Sequence, residues 1–518
     1  MARRFSSGFL WVVFAAASLS LFVYLNNDIF IDWADEGFLW YGASHLLRGQ
    51  FPIRDFQAYD PGRYFWCAAV FALRGTGLMA MRFAAGLFQF FGLCFGLLAL
   101  RRVLKHSWQI LAAGFLAVTW MLIPCRYFDA SLTLFALFFS VRLVEDPSPR
   151  RHLAAGIFTA LAAFMGINHG LYLFSALLAL MVYLGSGKKI MHFVRGLAVG
   201  ALPFWILFLA VPGFFGSYLE RLGVLAYARA EGKANVSLGI PWPWTVHWDP
   251  SHIFPSFAAK ALDFTNRFSI GAMFVFVILY TLVALVVLSR MKRSGDPAKA
   301  LFTASVFLGF FYLGHIFTRS DVNYMGEGIF PVLAGLIALS ALAPAGLWRR
   351  LAIGALVIFS AGSLASAGLV NTPAFKNFVP KSGMTWYSVG KDRIWLLRSD
   401  AKYVQNMKKL VSQYVGPDEP ILLAPLLTTF YCILEKESPV YELYFHLAPP
   451  PAQERKDIER LEKKRVRWAI VGNILIEGHP EQSFSSSHPL LWGYLTTHFE
   501  AVTAEGLRPG YILMKHKS

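Results

Sequence analysis

Long apolar runs recur through the first 370 residues of this 518-residue chain, and each is close to the roughly 20 residues that a helix needs to cross a bilayer. Hydrophobic residues make up 56% of the sequence and charged residues only 15%, which is far less charge than a soluble protein of this length carries. We therefore predict a polytopic α-helical membrane protein with about eleven spans. The expected spans are 8–26, 82–100, 108–124, 131–144, 153–166, 169–186, 194–212, 268–289, 300–317, 328–346 and 350–369.

Positive charge concentrates in short hydrophilic connectors between the apolar runs. The 48 Lys and Arg residues outnumber the 31 Asp and Glu residues, for a formal net charge of +17. By the positive-inside rule, these connectors lie on the cytoplasmic side of the membrane. They are not interleaved with aromatic residues on a soluble surface, which argues against nucleic-acid binding. We expect a cytoplasmic N-terminus, a retained first span rather than a cleaved signal peptide, and a location in the cytoplasmic (inner) membrane.

The alternate connectors then lie on the outer face, and they carry the polar residues of interest. An odd number of spans also places the region after about residue 370 outside the cytoplasm. We expect residues 1–370 to form the membrane domain and residues 371–518 to form an extracytoplasmic domain. The outer loops are 27–81, 124–130, 166–169, 213–267 and 318–327.

The first outer loop contains an acidic cluster, Asp32, Asp35 and Glu36. At spacings of three and four residues, these carboxylates fall on one face of a helix. Carboxylates beside a membrane span are costly unless they have a function or face water. Two juxtamembrane helices are predicted to follow in this loop. The second of them is short and apolar, which places it in the membrane interface.

The long outer loop 213–267 includes the aromatic run 241–248, with tryptophans at positions 242, 244 and 248. Its proline and aromatic content makes it too stiff for a passive linker. An aromatic anchor at the membrane interface and a lip that binds sugar or lipid fit this run about equally well.

After residue 370 the composition changes to that of a soluble domain. Helical patterns at 402–415 and 451–464 alternate with strand patterns at 420–425, 466–472 and 511–515. This alternation predicts a small α/β domain with a partly parallel sheet. The domain contains no Gly-rich phosphate-binding motif, so no nucleotide is expected there.

Polar groups lie near the outer ends of several spans, and we expect them to share one cavity. Carboxylates and cations together at a membrane edge suit a lipid-phosphate substrate. A carboxylate would take a proton from an acceptor hydroxyl while the lipid phosphate leaves, and an Arg or His would hold that phosphate. The candidates for donor-phosphate or substrate binding are Arg63, Arg126, Asp129, His169, Arg319, Asp321 and Tyr324, with Arg54 as a further cation.

The first loop also follows a particular order of short motifs. These are Asp35-Glu36-Gly37, the segment 43–49, Phe51-Pro52, Asp55-Phe56 and Tyr59-Asp60-Pro61-Gly62 before an apolar helix. This order resembles the GT-C membrane glycosyltransferases, and it is most similar to the bacterial branch related to protein O-mannosyltransferases and lipid A aminoarabinose transferases. Members of that superfamily use an acidic first-loop motif, two juxtamembrane helices and a polyprenyl-phosphate sugar donor.

The resemblance implies a polyprenyl-phosphate-sugar-dependent glycosyltransferase with Asp35 as the catalytic carboxylate and Glu36 beside it. The segments 126–129 and 319–321 are similar to the second and late outer-loop motifs of the family. Tyr324 is a departure, because related bacterial sequences often have a histidine three residues after the late aspartate. The sequence leaves open the sugar, the stereochemical outcome and whether the acceptor is a lipid, a glycan or a protein.

Two other functions fit part of the sequence. A transporter or flippase of a lipid-linked sugar should show internal repeats and polar groups near the bilayer midplane, whereas here the polar groups gather at one face. A non-catalytic envelope assembly protein would explain the C-terminal domain but would leave the acidic loop without a role.

A divalent cation is a further expectation that the residues leave open. Asp35, Glu36 and Asp129 offer the carboxylate oxygens that hard cations prefer. Arginine side chains would balance the same charge equally well. The four cysteines have no metal-binding spacing, so they add no support for a metal.

Overall fold

Helices dominate the first 370 residues, and each predicted apolar run falls on a helix or on a pair of helices. The computed structural model describes residues 2–121, 128–230, 257–292, 294–318, 322–343, 346–368, 383–445, 448–476 and 480–517. The first ten helices are α1 (Ala2–Asn26), α2 (Asp35–Leu46), α3 (Pro61–Arg74), α4 (Leu78–Leu100), α5 (Ser107–Met121), α6 (Asp129–Glu145), α7 (Pro149–Met165), α8 (Ile167–Tyr183), α9 (Ile190–Gly200) and α10 (Leu202–Ala210). The next six are α11 (Phe214–Ala230), α12 (Phe257–Arg290), α13 (Pro297–Ile316), α14 (Val322–Gly328), α15 (Phe330–Leu342) and α16 (Leu347–Gly368).

Four of these helices are long and apolar enough to cross a membrane, within the part of the chain that the structure describes. They are α4, α13 and the segments Gly8–Asn26 of α1 and Gly271–Arg290 of α12. The segment Gly187–Gly200 and α10 would form a fifth span, bent by 42°. Pro203 accounts for the bend, because it has no N–H to continue the helical hydrogen bonds. The protein is an integral membrane protein, and the count of eleven spans stays a prediction.

The C-terminal region contains a hairpin and a mixed sheet. Strands β1 (Met384–Val389) and β2 (Asp392–Leu397) pair antiparallel. The other elements are α17 (Arg398–Tyr414), β3 (Ile421–Ala424), α18 (Thr428–Ile433), α19 (Pro451–Lys463), β4 (Trp468–Gly472), α20 (Phe484–Ser487), α21 (Pro489–His498), β5 (Phe499–Val502) and β6 (Tyr511–His516). The mixed sheet has the order β3-β4-β6-β5, in which β3 and β4 are parallel and the other pairs are antiparallel. The three predicted strands and two predicted helices are present, whereas the hairpin, β5, α18, α20 and α21 were not predicted.

Contacts within the chain group it into two compact units. Unit 1 contains Met1–Asn27, Ala85–Trp205 and the described part of Ile240–Phe378. Unit 2 contains Asp28–Ala84, the described part of Ile206–Gly239 and Val379–Ser518. The first-loop helices α2 and α3 therefore belong to the same unit as the C-terminal sheet. The expected division of the chain into domains at residue 370 stays a prediction.

Candidate functional site

The acidic cluster lies at the start of α2 in unit 2. Its carboxylates accept hydrogen bonds from backbone N–H groups of the same turn. Asp32 Oδ1 accepts hydrogen bonds from the backbone N–H groups of Ala34 at 2.8 Å and Asp35 at 2.5 Å. In return, the backbone N–H of Asp32 donates to Glu36 Oε2 at 3.0 Å. This reciprocal arrangement satisfies N–H groups that the first turn of a helix leaves without partners. It also holds the three carboxylates close together.

Glu36 is buried and bound to Arg82, the fifth residue of α4. Arg82 Nε donates to Glu36 Oε1 and Nη2 donates to Oε2, both at 2.7 Å, and each side chain is only 3% exposed. Arg82 also donates to the backbone carbonyls of Ile29 at 3.2 Å and Phe30 at 2.8 Å. A buried carboxylate with this many charge-assisted hydrogen bonds is held in one orientation. Glu36 is therefore a fixed negative charge close to Asp32.

Asp32 and Asp35 are both half-buried, so they differ from Glu36 in their access to solvent. Burial, together with the charges of Asp35 and Glu36, raises the pKa of Asp32 from 3.8 to about 6. The backbone N–H groups of Ala34 and Asp35 act in the opposite direction. Closely spaced carboxylates disfavour each other's ionised form, which is a common way to prepare a group for proton transfer.

Residues of the C-terminal region hold this acidic turn in place within unit 2. The backbone N–H of Thr429 donates to the carbonyl of Trp33 at 2.9 Å, and its hydroxyl donates to the carbonyl of Asp32 at 2.7 Å. The rings of Trp33 and Phe430 are stacked, with centroids 5.2 Å apart and planes 7° apart. A Cβ atom at Gly37 would overlap the backbone of Thr429, so only glycine allows α18 to approach α2 this closely.

A cavity of about 180 Å³ lies in unit 2, and part of its wall comes from α2. The wall includes Phe38, which follows the acidic cluster on α2, and Tyr59 from the end of the first loop. Arg54 also lines it and forms a three-hydrogen-bond ion pair with Asp55, between 2.7 and 3.1 Å. Arg54 was expected as a phosphate-binding cation, and its charge is already compensated by this neighbour.

A second polar cluster lies in unit 1, where the ends of several helices meet. Asp129 begins α6, and its Oδ1 accepts from His169 Nε2 of α8 at 2.8 Å. The other ring nitrogen of His169 is 3.1 Å from the hydroxyl of Tyr312 on α13. A carboxylate only accepts, so Nε2 carries the proton and Nδ1 is available to accept from Tyr312. All three side chains are buried.

A second buried pair lies beside the first in unit 1. His315 Nε2, near the end of α13, is 2.5 Å from Glu327 Oε2 on α14, and the rings of His169 and His315 are 5.0 Å apart. The hydroxyl of Thr133 on α6 donates to the backbone carbonyl of Glu327 at 2.7 Å. The polar groups predicted from two outer loops, at Asp129 and His169, therefore do come together.

The remaining predicted site residues have different positions. Arg63 is half-buried in the first turn of α3, in unit 2. Tyr324 is half-buried on α14 in unit 1, with its ring 5.8 Å from that of His315. Arg126, Arg319 and Asp321 lie outside the described residues, as does the aromatic run 241–248. Both interpretations of that run stay open.

Sequence reasoning missed Arg82, Tyr312 and His315, although each contacts a predicted site residue. The sequence could have identified Arg82 as a candidate, because it is a single charged residue near the beginning of an apolar run. Ionisable residues in such runs commonly have a partner or a function. Tyr312 and His315 lie on one face of α13 at a spacing of three residues. Nothing in the local sequence indicates which helix that face contacts.

Two of the three carboxylates that were expected to share a divalent cation are engaged with other partners. Both oxygens of Glu36 are bound to Arg82, and Asp129 has His169 on Oδ1. Among the described residues, no group of three or more His, Cys, Asp and Glu side chains is arranged to hold a metal ion. The divalent cation stays an expectation, and the chemistry proposed below uses no metal.

Comparison with known proteins gives matches among solved structures alone. No family model matches the sequence, and no curated protein matches it. The chain is similar to ArnT from Cupriavidus metallidurans in the apo state, with 14% identity and a TM-score of 0.42 over 98% of each chain. The structure of that protein bound to undecaprenyl phosphate shares 14% identity with this chain, with a TM-score of 0.42 over 97% of each chain.

An Archaeoglobus fulgidus oligosaccharyltransferase in complex with Zn and sulfate is also similar. It shares 12% identity with a TM-score of 0.39, over 91% of this chain and 70% of that chain.

Proposed function

We propose that the protein is a glycosyltransferase that moves a sugar from a polyprenyl-phosphate donor to an acceptor at the outer face of the cytoplasmic membrane. The observation that carries this proposal is the acidic turn before and at the start of α2. It holds half-buried Asp35 beside Asp32 and next in the chain to Glu36, which is paired with Arg82. A solvent-accessible carboxylate held by fixed neighbours is the group that proton abstraction from a hydroxyl requires.

In the proposed reaction, Asp35 is the catalytic carboxylate. Asp35 takes the proton from the acceptor hydroxyl, and the acceptor oxygen forms a bond to the anomeric carbon of the donor sugar. The bond from that carbon to the phosphate oxygen breaks, and its electron pair leaves with the polyprenyl phosphate. Arginine or histidine side chains would stabilise the departing phosphate. Arg319, Arg126 and Arg63 are our candidates for that role, with His169 as a further one.

Glu36 has a different role in this proposal. Because both of its oxygens are bound to Arg82, it is a positioning residue and does not touch the reacting atoms. Its negative charge lies directly after Asp35 in the chain and keeps the turn in one conformation. Asp32 supports the same turn from the other side through its hydrogen bonds to Ala34 and Asp35.

A transporter of a lipid-linked sugar is the second candidate, and the bent segment at α9 and α10 is the observation in its favour. Broken helices in transporters surround a substrate site near the bilayer midplane. Here Asp35, Asp129 and His169 lie in the first turns of α2, α6 and α8, and the bend contains no acidic residue. These features favour an enzyme over a transporter.

The test is mass spectrometry of membrane lipids and surface glycans from cells with and without the protein. We expect a polyprenyl-phosphate sugar to accumulate, and one glycosylated product to disappear, when the protein is removed. Arg319→Ala should raise the donor concentration needed for half-maximal rate in a purified assay. An unchanged lipid pool together with an unchanged glycan profile would overturn the proposal.

A transporter gives a different pattern in a reconstituted system. If purified protein in vesicles moved the lipid-linked sugar between leaflets and transferred none of it, the second candidate would be correct. The enzyme is supported if sugar appears on the acceptor in detergent solution, where no leaflets exist.

A further inference from the structure

The cavity of about 180 Å³ in unit 2 has no role in the proposed reaction as described above. Its wall comes from three stretches of unit 2, which are the first loop, helix α11 and the segment 441–460. This volume is well above the roughly 10–15 Å³ that one water needs, so the cavity has room for a ligand of several heavy atoms.

Arg221 of α11 is a half-buried cation in this wall. Its side chain is 13% exposed, and the carboxylate oxygen Asp60 Oδ1 is 3.9 Å from Nη1. Within the described parts of the chain, Nη1 is inaccessible to solvent and has no hydrogen-bond partner. Because Arg221 lines the cavity and a guanidinium group carries five N–H donors, its other N–H groups can donate to an oxygen atom of a ligand there.

The other charged residues in the wall each have an ionic partner, and Glu442 is paired with His488 at 3.1 Å. Lys456 forms an ion pair with Glu220, and Arg460 donates to Asp457 at 2.9 Å. Arg54 is paired to Asp55, as described above. The wall therefore offers both hydrogen-bond donors and hydrogen-bond acceptors, and it carries no large excess of positive charge. A polyphosphate or another multiply charged anion would therefore gain little here. A ring with several hydroxyl groups can use both signs at once.

Aromatic rings supply the remaining part of the wall. Tyr59 is 41% exposed and lies against Phe38 with ring centroids 4.8 Å apart, and Tyr441 and Tyr444 also line the cavity. Aromatic faces bind apolar C–H surfaces at little cost in conformational entropy, while the phenol hydroxyls contribute hydrogen bonds. A sugar ring has apolar C–H faces and polar hydroxyl groups, so it can contact both the aromatic rings and the paired charged residues of this wall.

We infer that this cavity binds one sugar ring of the acceptor, so that the acceptor is a saccharide-bearing molecule rather than a protein or an unglycosylated lipid. That the bound sugar belongs to the acceptor rests on the proposed function. That the ligand is a saccharide rests on the residues that line the cavity. Phe38 connects the cavity to the acidic cluster, because it lines the cavity and lies three residues after Asp35 on α2.

The experiment is saturation-transfer difference NMR on the full-length protein in detergent micelles. The probes are the methyl glycosides of glucose, galactose, mannose and N-acetylglucosamine, with a serine- and threonine-containing pentapeptide as the comparison. We expect at least one glycoside to bind and the pentapeptide not to bind. Binding of the pentapeptide alone, or of no glycoside, would overturn the inference.

Two substitutions locate the binding. Arg221→Met should weaken glycoside binding at least tenfold by removing the guanidinium donors. Val224→Trp fills the cavity without removing a charge, so it should have the same effect even if Arg221→Met does not fold. Arg467→Met is the matched control, because Arg467 is 68% exposed and pairs with Glu419 elsewhere in unit 2. Equal binding by the wild type and the Val224→Trp variant would place the glycoside elsewhere and refute the assignment.

The results also separate this inference from the proposed function. Transfer of sugar to a peptide, without glycoside binding, would refute the saccharide site and leave the glycosyltransferase in place. Glycoside binding that both substitutions weaken, in a protein whose removal changes no lipid or glycan, would refute the glycosyltransferase and support the saccharide site.

Discussion

Both carboxylate oxygens of Glu36 accept hydrogen bonds from the guanidinium group of Arg82, 46 positions later in the chain. This buried pair connects the beginning of α2 to the beginning of α4 within unit 2. Because Arg82 also binds the carbonyls of Ile29 and Phe30, one side chain fixes the backbone on both sides of the acidic turn. The orientation of Asp35 therefore depends on a residue outside the motif that the sequence displays.

We expect Asp35→Asn to abolish sugar transfer while leaving expression and membrane insertion intact. The amide cannot accept the proton of the acceptor hydroxyl, and loss of a general base typically costs 10²–10⁴-fold in rate. The measurement is the single-turnover rate with purified protein and a polyprenyl-phosphate sugar. Asp418→Asn, which changes an exposed carboxylate of unit 2, is the control. Full activity of the Asp35→Asn enzyme would exclude Asp35 as the base.

Substitution of Glu36 should give a different kinetic result. Glu36→Gln keeps a hydrogen-bond acceptor for Arg82 but removes the charge, so we expect a lower kcat with little change in the KM for the donor. A pH–rate profile adds a readout that a purely structural role would not move. An unchanged profile in Glu36→Gln would show that Glu36 does not influence the ionisation of its neighbours.

Arg82→Met should lower the free energy of unfolding by about 3–5 kcal/mol, because Glu36 would be left buried without its counter-charge. The double substitution Glu36→Gln with Arg82→Met should recover part of that loss, since it removes both charges. Thermal unfolding in detergent of the wild type, both single variants and the double variant completes the cycle. Arg467→Met is the control and should leave the free energy of unfolding almost unchanged, because the Arg467 side chain is 68% exposed. Strict additivity in the cycle would show that Glu36 and Arg82 do not stabilise each other.

The raised pKa of Asp32 predicts how stability changes with pH. Its pKa is 3.8 without the fold and about 6 in the folded protein, so folding favours the protonated form. The contribution of this group is fully present below pH 4 and is lost as pH rises through about 6, with a total of at most about 3 kcal/mol. Asp32→Asn should flatten this part of the stability curve and raise the unfolding temperature at pH 7. A wild-type curve that rises from pH 4 to 6, with the same slope in the variant, would contradict the assignment.

Gly37→Ala should loosen the contact between α2 and α18, because the added methyl group would overlap the backbone of Thr429. Relieving that overlap requires backbone movement, which costs about 1–3 kcal/mol. Gly223→Ala is the matched control, since a Cβ at Gly223 on α11 meets no atom within 4 Å and alanine favours helices. Limited proteolysis and thermal unfolding should separate the two variants. Equal stability of both would mean that α18 does not need this close approach.

The sequence alone predicted the class of the protein and the position of most of its helices. Apolar runs and local periodicity are properties of neighbouring residues, so they can be read without knowing what each segment contacts. The same is true of the hydrogen bonds inside the acidic turn, which join Asp32 to Ala34, Asp35 and Glu36, two to four positions away. The strands at 420–425, 466–472 and 511–515 were also predicted correctly, because each is a short apolar run between breaks.

Only the tertiary structure decided which groups become partners. Arg82 is 46 residues from Glu36, Thr429 is 397 residues from Asp32, and His169 is 40 residues from Asp129. Such pairs depend on how helices and the C-terminal sheet pack, and a buried charge accepts whichever counter-charge that packing supplies. The motif therefore indicates where a carboxylate is available for chemistry, whereas long-range packing determines which carboxylate is held fixed and which remains accessible.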